Sequence, residues 1–133
     1  MGVAVFLGVL YGALLGACFA SFCCVLAERV PAGESINGRS HCVCGRQLTA
    51  GQNIPVFGWL SCRGTARCCG AKLPARYLYA ELAYAAWGAA VTGVLQAYTH
   101  THGFSVPAVA VAVAAMVAFG AGLTRVCWHR PAS

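Results

Sequence analysis

No aspartate occurs anywhere in this 133-residue chain, and its acidic side chains are three glutamates, Glu28, Glu34 and Glu81. A paired-carboxylate protease or glycosidase needs two acids whose surroundings push their pKa values apart. Here such a pair would have to come from those glutamates, two of them in an arginine-rich stretch, so aspartyl catalysis by these residues is excluded. Charge of either sign is scarce, at 9% of residues against about 25% in a soluble domain. Hydrophobic residues make up 59%, and a chain this short buries too small a fraction of its surface to hide them in one core. Lipid is the solvent that accommodates the excess. Two further signatures are missing. No G-x-G-x-x-G follows a strand pattern, so there is no nucleotide fingerprint. No C-x-x-C sits beside a βαβ pattern, which removes a thioredoxin-like dithiol.

What is present is long apolar runs separated by positive charge. Residues 2 to 27 carry no charged side chain, and roughly 20 apolar residues suffice to cross a bilayer as a helix. A cleaved signal peptide would carry Lys or Arg before its apolar run; none precedes this one. The Leu15-Gly16-Ala17-Cys18 stretch resembles a lipoprotein cleavage site but lacks the same charge, so a retained span is expected over 1–27. Residues 28–76 are polar and hold seven of the nine basic residues and five of the nine cysteines. The chain is apolar again over 77–98, interrupted only by Glu81 and Gln96. A link at 99–103 follows, then a Val- and Ala-rich run over 104–124 and a basic tail at 125–133. In lipid such runs must satisfy their backbone internally, so helix is expected over strand.

The net charge of +6 does not point to nucleic acid, because the arginines cluster between apolar segments, where charge sets orientation. The positive-inside rule places the N-terminus outside, with residues 28–76 and the C-terminal tail in the cytoplasm. The expected architecture is an all-α multi-pass protein of the inner or plasma membrane. It has three transmembrane helices and a small cytoplasmic Cys-rich, zinc-ribbon-like loop domain after the first.

Cysteines in a reducing cytosol are more often metal ligands than disulfides. A structural zinc site is commonly two C-x2-C pairs. Here the first pair is Cys42-Val43-Cys44, one residue short, and the second cluster is Cys62 with the adjacent Cys68 and Cys69. Neighbours on an extended backbone project apart, so Cys68 and Cys69 should converge on one ion less readily. The candidate ligands are Cys42, Cys44, Cys68 and Cys69, with Cys62 as the alternative and His41 as an additional donor. A loop of this size with few large aliphatics needs a staple. Zinc is favoured over iron, since nothing suggests electron transfer.

These residues resemble the N-terminal region of the prepilin peptidases, the type IV leader peptidases. The matching stretches are Ala20-Ser21-Phe22-Cys23-Cys24-Val25, Arg29-Val30-Pro31-Ala32-Gly33-Glu34-Ser35 and Arg39-Ser40-His41-Cys42. They continue through Gln52-Asn53-Ile54-Pro55, Trp59, Arg63-Gly64, Cys69-Gly70, and Arg76-Tyr77 with Glu81. Cys24 stands where the family has Asn, Gln52 where it has Asp, and Ala66 at the first ligand position of the second pair. The family's proteolytic aspartates, one in G-x-G-D, have no counterpart in these residues. The resemblance implies a place in type IV pilus, type II secretion or competence machinery. It would support a separately encoded aspartyl-protease half acting on prepilin-like substrates. The family's N-terminal region is also linked to pilin N-methylation, so a standalone methyltransferase using S-adenosylmethionine is the alternative, without residue-level support for the cofactor. A non-enzymatic zinc module is a third reading. Nucleic acid is not an expected partner.

Other side chains are weighed individually. Glu34, Arg76 and Glu81 are further candidate functional residues. Glu81, inside the second apolar run, is the most suggestive, since ionisable groups in spans are costly and tend to be functional or paired, and a pair with Arg76 or another loop arginine is the favoured reading. Glu34 is expected to shape a loop. His100 and His102 are expected to face solvent. Cys18, Cys23 and Cys24 act as small apolar residues. Tyr77, Tyr79, Tyr84 and Tyr98 fall near span ends, as interfacial anchors do. Gly12, Gly16, Ala85, Gly88, Gly120 and Gly122 allow close helix contacts.

Overall fold

The apolar runs do form helices in the computed structural model, which describes residues 2–38 and 40–128, with side chains through Gly122. Helix α1 spans Gly2–Arg29 and α3 spans Ala75–His102. At a rise of about 1.5 Å per residue each is about 42 Å long, enough to cross a hydrocarbon layer of about 30 Å. By length and composition, these two helices qualify as membrane spans. Between them, α2 spans Phe57–Ser61, preceded by one turn of 3-10 helix at Ala50–Asn53. Helix α4 runs Val106–Trp128, and its apolar part with described side chains is Val106–Gly122. No strand forms among the described residues, only isolated bridges pairing His41 with Gln47 and Thr65 with Lys72. Arg39 of the Arg-Ser-His-Cys motif, Met1 at the start of the first run, and residues 129–133 of the expected tail lie outside the described residues.

Helices α1 and α3 pack antiparallel along a seam of small residues. Gly8 faces Gln96, Gly12 faces Thr92 and Gly88, and Gly16 faces the Tyr84 carbonyl. A methyl group added at Gly12, Gly16 or Gly88 would overlap backbone or side chain of the opposite helix. Without a hydrophobic drive between helices in lipid, such close backbone approach is what makes association favourable. Gly120 brings α4 against Phe19 and Tyr84, whereas Gly122 faces open space.

Tyr84 departs from its expected place. Far from anchoring an interface, it is fully buried between Phe19 and Phe119, with ring centroids 5.8 and 5.0 Å away. Phe119 also stacks on Trp87 at 4.9 Å. The reason is helical phase: Tyr84 lies on the face of α3 that carries Gly88 and meets Gly16. Tyr79, by contrast, is exposed. The outer face is apolar as well, with Phe6, Leu14, Val94 and Val111 all more than half exposed. Exposed apolar surface of this extent suits lipid or further helices.

The expected 99–103 link is largely helical. Thr99 and Thr101 return their hydroxyls to carbonyls one turn back, at Gln96, Ala97 and Tyr98. The helix stops only at Gly103, whose φ of 80° few other residues adopt.

Candidate metal centre

Two tight turns build the centre. In the first, the Gly45 N–H bonds the Cys42 carbonyl (2.8 Å) and the Cys42 N–H bonds the Arg46 carbonyl (2.8 Å). In the second, the Gly70 N–H bonds the Ala66 carbonyl (2.8 Å) and the Ala66 N–H bonds the Ala71 carbonyl (2.8 Å). Each turn ends in Cys-Gly, and the glycines sit at φ 81° and 71°, where a side chain would be strained. The turns curl the backbone enough that Cys68 and Cys69 no longer project to opposite sides. Their sulfurs lie 3.9 Å apart, so adjacency is not the obstacle that an extended chain would make it.

The sulfurs of Cys42, Cys44, Cys68 and Cys69 all lie within 4.8 Å of one another. Across the turns, Cys42 lies 3.5 Å from Cys69, and Cys44 lies 3.4 Å from Cys68. A tetrahedral ion with Zn–S bonds of about 2.3 Å places its sulfurs about 3.8 Å apart. The donor set and spacing therefore fit such an ion, and four thiolates would complete its shell. Cys62 is not part of the group. It is buried beside α2, its sulfur accepting from the Gln52 amide at 3.8 Å. His41 is exposed and bridges to Gln47.

Electrostatics agree with a cation-seeking cluster. The Cys44 backbone N–H, then the neighbouring thiols, pull the Cys42 thiol down to about 7. Hydrogen bonding to Cys42 and Cys44 pushes Cys68 up to about 12, and Cys69 is also raised. In the metal-free cluster ionisation is thus favoured at Cys42 and disfavoured at Cys68 and Cys69. A divalent cation removes that obstacle.

Further contacts tie this segment to the helices. Glu81 is 8% exposed, and its Oε2 accepts the backbone N–H of Val56 at 2.6 Å. Arg76 does not pair with it. That arginine lies 3.5 Å from Glu28 instead and stacks 5.3 Å over the Tyr77 ring. The cause is direction: Glu81 lies one turn deeper, facing the Pro55-Val56 corner. Val56 has φ 63° and ψ −54°, and the Phe57 N–H bonds the Pro55 carbonyl at 2.6 Å. This is a γ-turn with positive φ, strained for any residue and more so for a β-branched one. Gln52 accepts the Thr49 N–H at 2.9 Å and its hydroxyl at 3.1 Å, closing the turn before α2. The Trp59 indole donates to the Leu73 carbonyl at 3.4 Å and packs over Gly64. Glu34 sits in the exposed loop after α1, its N–H bonded to the Arg29 carbonyl at 3.0 Å. Val56 did not stand out in the sequence. Gln52 was visible as a departure from the family's Asp, but nothing in a Pro-Val-Phe string announces a γ-turn.

A helical chain of membrane-type composition carrying a four-cysteine clasp is the class these features define. A family model, the Bacterial Peptidase A24 N-terminal domain, matches residues 14–95. The chain belongs to that family. It is 42% identical over 71 residues to a prepilin leader peptidase/N-methyltransferase of Myxococcus xanthus, covering 52% of this chain and 21% of the relative. Proteins described in the same words from Dichelobacter nodosus and Stutzerimonas stutzeri are 49% identical over 43 residues and 38% over 80. Those matches cover 32% and 56% of this chain, and 15% and 25% of the relatives. The chain thus spans a quarter or less of the length of these curated relatives. No solved structure matches it.

Proposed function

We propose that this chain is the metal-clasped, non-proteolytic part of a prepilin-processing assembly in the inner or plasma membrane. The observation that carries the reading is the family match across residues 14–95, in a sequence without a single aspartate. Proteolysis in this reading comes from outside these residues, from an aspartyl-protease half whose helices pack on the apolar outer faces. In this reading α4 is a third span, the N-terminus lies outside, and zinc holds the two cysteine turns together on the cytoplasmic side. The test is co-expression with a membrane aspartyl protease carrying G-x-G-D. Co-purification, and cleavage of a prepilin-like peptide only when both chains are present, supports the reading. A protease that is stable and fully active alone contradicts it.

A second reading rests on the relatives' printed description, which joins peptidase to N-methyltransferase. It makes this segment the methyl-transferring part, with S-adenosylmethionine as donor. Equilibrium binding of the labelled donor to the purified chain separates the two; no binding at saturating concentration removes the second.

A further inference from the structure

We propose that the cleft between the cysteine turns and the Thr49–Gln52 turn binds a phosphate group through Arg46 and Arg67. The cleft encloses about 220 Å³, and its walls include Arg46, Gln47, Thr49, Arg67 and Cys68, with no carboxylate among the lining residues. The surrounding segment is strongly basic, and of its two glutamates Glu28 is already tied to Arg76. Arg46 is exposed and has no ion-pair or side-chain hydrogen-bond partner among the described residues. Arg67 donates one N–H to the Ser61 carbonyl at 2.8 Å. That bond steadies the side chain and leaves further N–H groups for a ligand, so ordering it costs less entropy.

The arginines reach the cleft from separate turns, Arg46 closing the first and Arg67 opening the second. A carboxylate is satisfied by one guanidinium fork, whereas a phosphate group, as the free anion or as a diester with two non-ester oxygens, can accept from two arginines at once. Two sources share this chemistry: free phosphate, and the headgroup of an anionic phospholipid beside a segment that joins two span-length helices. The competing account makes both arginines counter-ions to the cluster, since four thiolates around a divalent ion leave two negative charges. The inference does not depend on the prepilin-processing role.

The test uses the full chain, zinc-loaded, in phosphatidylcholine nanodiscs titrated with inorganic phosphate by calorimetry. In a second arm, nanodiscs containing phosphatidylglycerol are scored for lipid retained by native mass spectrometry. Saturable phosphate binding identifies the free anion, and selective phosphatidylglycerol retention identifies the headgroup; either supports the site. Arg46→Gln and Arg67→Gln should each weaken the interaction at least about tenfold, the loss of one charge-assisted fork. Arg63→Gln, which removes an exposed charge outside the cleft, should leave it unchanged. The cobalt(II)–thiolate absorption band checks that each variant still folds, and Arg46→Lys and Arg67→Lys replace any glutamine variant that loses the band. No saturable binding in either arm overturns the proposal, as does an equal effect of Arg63→Gln. Loss of cobalt affinity in the arginine variants of a protein that binds no phosphate shows them to be counter-ions and overturns it too.

Discussion

Replacing Glu81 should release the cysteine-bearing segment from the helix pair without unfolding either. Its carboxylate accepts the Val56 N–H at 2.6 Å and a side-chain hydrogen bond from Ser21 of α1, while 8% exposed. Hydrogen bonds to charged groups contribute about 1.5–3 kcal/mol and neutral ones about 0.5–1.5. Glu81→Gln keeps an acceptor of the same shape and loses only the charge, about 1 kcal/mol, or about fivefold in the opening equilibrium of the Val56 corner. Glu81→Ala leaves the N–H without its acceptor and costs about 1–3 kcal/mol, which is about 5- to 150-fold. Amide hydrogen exchange at Val56 reads this equilibrium directly, with amides in the middle of α1 as an internal reference. The expected order of protection is wild type, then glutamine, then alanine, with the α1 reference unmoved. Equal protection in all three refutes the latch, and parallel loss in α1 shows that Glu81 supports the whole bundle instead.

Other outcomes follow from the same geometry. Val56→Gly should be neutral or stabilising, because relief of positive-φ strain of about 1–3 kcal/mol offsets the added chain entropy. Val56→Pro should cost about 3 kcal/mol or more, since it fixes φ at the wrong sign and removes the N–H held by Glu81; thermal unfolding in detergent distinguishes them. Gly16→Leu should lower the melting temperature by several degrees, an overpacking cost of about 1–3 kcal/mol, because the new side chain meets the Tyr84 carbonyl. Gly122→Leu, facing open space, should not. Metal affinity should fall with falling pH, because the thiols bind deprotonated. Cys68, pushed up to about 12, is protonated throughout the physiological range and contributes about one decade per pH unit. Cys42, at about 7, adds to the slope only at lower pH, so a cobalt(II) titration series should steepen below neutrality.

Much of this was legible in sequence because lipid imposes coarse rules. A long, mostly apolar run able to span has to be helical in lipid, and α1 and α3 follow it. The stopping points were less legible, since Thr and His continue a helix when a hydroxyl can return to a carbonyl, as in Thr99–His102. Tyr84 was misplaced because an aromatic near a span end and one at a helix junction differ only in phase. The cysteine group was visible as residue types, but its geometry was not. Consecutive cysteines face apart in extended chain and together in the tight turn that Gly70 permits. Glu81 was rightly singled out as an ionisable group that needs a partner. Its partners are a backbone N–H in a strained corner and the Ser21 side chain, which no charge pattern announces.

The most direct test of the account is metal content by elemental analysis of the purified chain, together with Cys44→Ser, Cys68→Ser and Cys62→Ser. The wild type should carry about one zinc per chain, with the Cys62 variant unchanged and the other two depleted. A wild-type value near zero, or depletion that tracks Cys62 and not Cys44 and Cys68, contradicts the four-sulfur clasp.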